Sequence, residues 1–129
     1  MHYTALVIED DADLATIFTE ALQIAGFEVE TLRDGSKAKV RLAEATPAVI
    51  VLDLHLPHIS GKELLAQIRA DARLANAHVI LATADARLAD MLDETEKDLL
   101  VLVKPISFGQ LRDLAKRLKA SLAQSEIET

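Results

Sequence analysis

Short apolar runs alternate with longer amphipathic stretches along the whole chain. The runs at Ala5–Ile8, Val29–Leu32, Val49–Leu52, Val79–Ala82 and Leu100–Val103 have the length of strands. Between the first two, Leu14, Ile17, Phe18, Ala21, Leu22 and Ala25 recur at helical spacing, and Gly26 follows where a left-handed residue can end a helix. The second helix is expected after Asp34-Gly35, with Ser36 as its cap and Val40 and Leu42 among its apolar residues. The third is expected from Gly61 to Ala70 with Leu64, Leu65 and Ile68 inward, and a fourth from Ala86 to Glu96 through Leu88, Met91 and Leu92. Ser107 followed by Gln110 reads as a capping box for a last helix, whose inward stripe is Phe108, Leu111, Leu114, Ala115 and Leu118.

Five strands, each followed by a helix, predict an α/β fold with a doubly wound parallel sheet. Val49–Leu52 and Val101–Val103 are apolar throughout, as strands buried on both faces should be. The expected domain is 1–122, followed by a polar, frayed tail over 123–129. With 129 residues a single domain can bury a core unaided.

Composition narrows the function. No run approaches the roughly 20 apolar residues of a spanning helix, and the chain's start lacks the basic and apolar pattern of a secretory signal. The absence of cysteine excludes disulfides, thiol catalysis and cysteine-based zinc sites. A cytoplasmic, soluble protein with no membrane contact is the expectation. A formal charge of −7 and only four aromatic residues argue against direct nucleic-acid binding.

In open parallel sheets, ligands bind beyond the carboxyl ends of the strands. Glu9, Asp10 and Asp11 follow the first run and Asp53 the third; Thr83-Ala84 follows the fourth and Lys104-Pro105 the fifth. Arg33-Asp34, after the second, is placed off the site. Clustered carboxylates repel unless a cation joins them, and hard oxygen ligands favour Mg²⁺ shared with phosphate oxygens. A lysine and a hydroxyl beside that ion can take the remaining phosphoryl oxygens, a set suited to phosphoryl transfer onto a carboxylate. Taken singly, the acids at the first strand end can be ordinary helix caps, with Asp10 or Asp13 the candidates. His55 and His58 without cysteine make a poor zinc set and are expected as loop residues, while Lys116, Arg117 and Lys119 read as a solvated helix face.

Leu6-Val7-Ile8-Glu9-Asp10-Asp11, Val51-Leu52-Asp53-Leu54-His55-Leu56-Pro57, Gly61, Leu81-Ala82-Thr83-Ala84 and Val103-Lys104-Pro105 occur in one order and spacing. With them the sequence resembles a receiver domain of the two-component response regulators, over about Ala5 to Leu118. The resemblance implies a flavodoxin-like sheet of strand order 2-1-3-4-5. It implies that Asp53 attacks a phosphohistidine, with Thr83 and Lys104 on the phosphoryl oxygens and room left by Ala84. Glu9, Asp10, Asp53 and the backbone carbonyl of His55 would hold Mg²⁺, Glu9 mainly through water, and Pro105 would follow a cis peptide. Glu9 and Asp10 are taken as the acidic pair, ahead of Asp11, because they directly follow the apolar run.

The implied partners are a histidine kinase or histidine phosphotransfer protein and a downstream protein target, with a homodimer possible. The product is a signalling domain that gains and loses its own phosphoryl group rather than a turnover enzyme. Two departures stand out: Val101 replaces the usual aromatic residue three positions before the lysine, and Ile106 replaces a common Phe. A phosphorelay intermediate is the alternative within the family. A haloacid-dehalogenase-like phosphohydrolase is the alternative outside it, and it wants a second Asp where His55 stands. A dinucleotide-binding enzyme is excluded because no Gly-x-Gly-x-x-Gly follows the first strand.

Overall fold

The five strands form one parallel sheet in the order β2-β1-β3-β4-β5, as expected. The computed structural model describes residues 2–95 and 99–128. Its elements are β1 (Tyr3–Ile8), α1 (Ala12–Ala25), β2 (Phe27–Leu32), α2 (Gly35–Leu42), β3 (Val49–Asp53) and α3 (Gly61–Ala70). After a short 3₁₀ turn (Ala72–Leu74) come β4 (His78–Thr83), α4 (Ala86–Thr95), β5 (Leu100–Val103) and α5 (Phe108–Glu128).

Register aligns the strand ends. Ile8 lies opposite Leu52, Asp53 opposite Ala82, and Thr83 opposite Val103. The residues that leave β1, β3, β4 and β5 therefore emerge on one edge of the sheet. This edge is where the candidate chemistry was expected.

The alternation of side chains along each strand divides the core into two layers. Leu6, Ile8, Ile50, Leu52 and Leu81 face Leu42, Leu64, Ile68 and Leu88 of α2, α3 and α4. Val7, Val49, Val51, Ile80 and Ala82 face Phe18 and Leu22 of α1 and Leu111, Ala115 and Leu118 of α5. Each fully buried leucine among them stabilises the fold by about 2 kcal/mol relative to leaving it in water. Gly26 ends α1 at φ 105°, a left-handed conformation that a side chain would strain, as its place after the apolar stripe predicted.

The structure corrects five details. Asp34, not Ser36, caps α2: Asp34 is extended and its Oδ1 accepts from the Ser36 N–H at 2.7 Å. Ser36 already lies in the first turn, where its N–H is one of the groups needing an acceptor. Val40 faces solvent, because the inward positions of this short helix are Gly35, Ala38 and Leu42. In α4 Leu88 and Ala89 are buried and Leu92 packs half-buried against the same layer, as expected of the two leucines, but Met91 is exposed; Glu96 lies outside the described residues.

The other two corrections concern the end of the chain. β5 is the sheet's edge strand, as the implied order 2-1-3-4-5 has it, so the burial expected of Val101–Val103 from its apolar run is partial: Val101 and Leu102 are half-buried, while Leu100 and Val103 are exposed. The tail expected from residue 123 is instead helical, since α5 runs on to Glu128. No proline or glycine interrupts this stretch, and Leu122 packs against the α1–α5 layer just before it.

Candidate functional site

Three acids and one ammonium meet at the aligned strand ends. Glu9 leaves β1 and is 1% exposed; Asp53 is the last residue of β3 and 3% exposed. Carboxylate oxygens of Glu9, Asp10 and Asp53 all lie within 4.8 Å of one another. Lys104, just past β5, places Nζ 2.9 Å from Glu9 Oε1 and 3.3 Å from Asp53 Oδ2. The Lys104–Pro105 peptide is cis, as the resemblance implied.

Such a cluster is costly to bury, and the proton distribution reflects that cost. Burial pushes Glu9 up to about 7, its hydrogen bond with Asp53 adds to the rise, and Lys104 opposes it. Burial would also raise Asp53, but the hydrogen bond shared with Glu9, the His55 N–H and Lys104 together hold it below the ordinary carboxylate range. Lys104 is raised: burial opposes its charge, and the two carboxylates outweigh that. With no metal bound, burial favours a proton on Glu9 below about pH 7, while Asp53 keeps the negative charge and Lys104 serves as the counter-ion.

Asp53 is fixed from two sides. The His55 N–H donates to its Oδ1 at 2.9 Å, and the Leu54 N–H donates to the Ala82 carbonyl at 3.1 Å. Gly61 opens α3 directly against this turn, with its N–H donating to the Leu54 carbonyl at 3.2 Å. A Cβ on Gly61 would sit 2.9 Å from the Leu54 carbonyl carbon and closer still to the Asp53 carbonyl oxygen. Only glycine lets the helix approach this near, and no side chain can be added there without moving the backbone that carries Asp53.

The structure separates Asp10 from Asp11. Asp11 is extended and caps α1, its Oδ1 accepting from the Leu14 N–H at 3.0 Å, so neither Asp10 nor Asp13 is the cap. Asp10 is left to join the acidic cluster. Asp10→Ala should weaken Mg²⁺ binding by at least about tenfold, a loss seen even when a group behind a metal ligand is removed. Asp11→Ala should leave Mg²⁺ affinity within about twofold and lower stability by about 1 kcal/mol, the usual worth of an N-cap. Metal titration and denaturant unfolding of both variants check this, and equal losses of metal affinity would contradict the separation.

Two contacts went unforeseen. The guanidinium of Arg33 donates to the Asp10 carbonyl at 3.0 Å, so the end of β2 reaches the site's backbone while Asp34 stays with α2. The other is made by His55, whose side chain was expected merely as a loop residue. Its Nε2 lies 3.0 Å from Thr83 Oγ1. Thr83 is fully buried and also accepts the Asp85 N–H at 3.0 Å. His58 has φ 69° in the same loop, and its side chain, like that of His55, is no part of the acidic cluster.

The donor set fits Mg²⁺: hard carboxylate oxygens from Glu9, Asp10 and Asp53 converge within reach of one ion. Val101, at the position where the resemblance implied a ring, is half-buried against the α2–α4 layer.

Comparison with known proteins agrees with this geometry. Residues 5–116 match the family described as the response regulator receiver domain. The phosphate regulon transcriptional regulatory protein PhoB of Rhizobium meliloti is 33% identical over 124 residues, which are 95% of this chain and 53% of that protein. The chain spans about half the length of the curated relatives it matches. Among solved structures, the bacteriophytochrome response regulator RtBRR is 30% identical at a TM-score of 0.76, covering 90% of this chain and 78% of that one. The response regulator DrrB of Thermotoga maritima, described as an OmpR/PhoB homolog, is 27% identical at a TM-score of 0.78, covering 94% and 54%. The strand order, the aligned acids and the match over most of its length place this chain in the response regulator receiver domain family.

Proposed function

We propose that the chain accepts a phosphoryl group on Asp53 in a Mg²⁺-dependent reaction and signals through protein–protein contacts. The observation that carries this reading is the convergence of Glu9, Asp10 and Asp53 with Lys104 across three strand ends. Asp53 supplies the nucleophile, since its depressed pKa keeps an oxygen lone pair available at neutral pH. Asp10, Asp53 and the His55 carbonyl would hold Mg²⁺ directly, and Glu9 would act mainly through a bound water. When bound, Mg²⁺ offsets the carboxylate charge and draws negative charge off the transferring phosphoryl oxygens. Lys104, already 3.3 Å from Asp53, pairs with one phosphoryl oxygen, and Thr83 donates its hydroxyl to another.

In the reaction a phosphohistidine on a kinase or phosphotransfer protein, protonated on its other ring nitrogen, loses its P–N bond as an Asp53 carboxylate oxygen forms the new P–O bond, and the imidazole leaves as the neutral ring. The donor's chemistry lies in the P–N bond, so small acyl or amido phosphates should serve as well. No described helix is long and apolar enough to cross a membrane, and the reading places the protein in the cytoplasm. Output falls to contacts with a downstream protein, because a chain of formal charge −7 has little electrostatic pull on a nucleic-acid backbone. Val101 is stiff at its first torsion and has no hydroxyl, so coupling to the surface runs through the loop after β4 and α4 rather than through a swinging ring.

Incubation with a small acyl phosphate should add one phosphoryl group per chain with Mg²⁺ and essentially none with a chelator. Mass spectrometry of the intact protein reads this directly. Labelling that ignores the metal would remove Mg²⁺ from the proposal.

A further inference from the structure

The bond between His55 and Thr83 ties the loop after β3 to the last residue of β4, across 28 residues of sequence. Its polarity follows from counting. A threonine hydroxyl has one proton to donate and two lone pairs to accept with. The Asp85 N–H can only donate, so it takes one lone pair of Thr83 Oγ1. Among the described residues, the remaining partner of that oxygen is His55 Nε2. Were Nε2 also a donor, the Thr83 proton would sit without an acceptor in a residue that is fully buried. The hydroxyl therefore donates to Nε2, and the imidazole carries its own proton on Nδ1.

We propose that His55 is a resting-state latch, which holds the Thr83 proton until a phosphoryl group on Asp53 displaces it. This rests on the reading of Asp53 as the phosphoacceptor. A phosphoryl group's terminal oxygens only accept hydrogen bonds, so Thr83 can serve one of them only by withdrawing its proton from Nε2. His55 and the phosphoryl group compete for one donor. Because His55 is exposed, its ring can swing into solvent once released, and the loop after β3 then loses its side-chain tie to the end of β4. His55 is in this sense a positioning residue that sets the threshold for activation.

The test is the affinity of the full chain for beryllofluoride with Mg²⁺, a phosphoryl mimic with acceptor-only fluorines, read by fluorine or amide NMR. His55→Leu keeps the bulk and removes the acceptor, and it should tighten binding about fivefold, the scale of one net hydrogen bond. His55→Gln, whose amide oxygen can again accept the proton, should return affinity to within about twofold of the parent. In a Thr83→Ala background His55→Leu should change nothing, since no proton is left to contest. Unchanged or weaker binding by the Leu variant overturns the latch, as does an equal gain in the Gln variant or in the Thr83→Ala background. Binding that survives Asp53→Asn undiminished overturns the phosphoacceptor reading itself, and the latch with it. If Asp53→Asn abolishes binding but His55→Leu fails to tighten it, the latch alone falls.

Discussion

Asp53→Asn should fold as the parent does and accept phosphoryl groups more slowly by over about 10³-fold, the order of loss when a covalent nucleophile is removed. The substitution is nearly isosteric. The amide oxygen can still take the His55 N–H that Asp53 Oδ1 accepts at 2.9 Å, so the turn after β3 keeps its anchor. What changes is charge. An amide oxygen is a poor nucleophile, and Lys104 then has one carboxylate partner instead of two. Glu9 loses a neighbour that helps to raise its pKa, and Lys104 stays to stabilise it as a carboxylate. Fold is checked by amide spectra and melting temperature, and function by mass gain after incubation with a small acyl phosphate and Mg²⁺. Undiminished labelling in the Asn variant would move the acceptor to another acid, with Asp10 the nearest exposed enough to react.

The second large effect is a change in how stability depends on pH when Mg²⁺ is added. Glu9 sits at about 7 in the folded protein against an ordinary 4.5, so the folded state holds its proton more tightly than the unfolded chain. Stability from this source is fully present below the ordinary value and is lost as pH rises through about 7. Asp53 has the opposite sign, and its window lies at and below the ordinary aspartate value, outside the range that matters here. Metal-free protein should therefore lose up to about 3 kcal/mol, and several degrees of Tm, between about pH 5 and about pH 8. Mg²⁺ requires the carboxylates without protons, so its stabilisation should grow over the same interval, reaching about 3 kcal/mol at a hundredfold excess over its Kd. Melting curves with saturating Mg²⁺ and with a chelator should diverge as pH rises. Parallel curves would show that Glu9 holds no proton that the metal must displace.

Most of the site was legible because it obeys a topological rule. In a parallel sheet the residues at and just past the ends of the apolar runs reach one edge, and Glu9, Asp10, Asp53, Thr83 and Lys104 each do so. What the sequence could not convey depends on packing across loops. The choice between Asp11 and Asp10 or Asp13 as helix cap turns on one extended residue, and all three are equally good caps by type. The bond from His55 to Thr83 needs the loop after β3 to close on the end of β4, which no local pattern announces. An apolar run signals burial, and by that sign Val101–Val103 reads as buried on both faces, whereas the order 2-1-3-4-5 puts it at the sheet edge, half-buried with Val103 exposed. Val40 and Met91 failed similarly: a short helix has room for few inward positions, and the smaller Ala38 and Ala89 hold them.

The position of β5 at the sheet's edge bears on how the protein comes apart. An edge strand of four residues is paired on one side only, and such segments open at lower free energy than the centre of a sheet. Here the residue after it is Lys104, whose ammonium offsets two acids on strands further in. Peeling β5 away would leave Glu9 and Asp53 buried without their cation, so the ion pairs act as a clasp on this edge of the sheet. The clasp is also the part of the structure that the proposed chemistry must loosen. Any group that draws Lys104 toward itself changes how firmly the edge is held, and amide hydrogens along β4 and β5 will exchange at rates that register the state of Asp53.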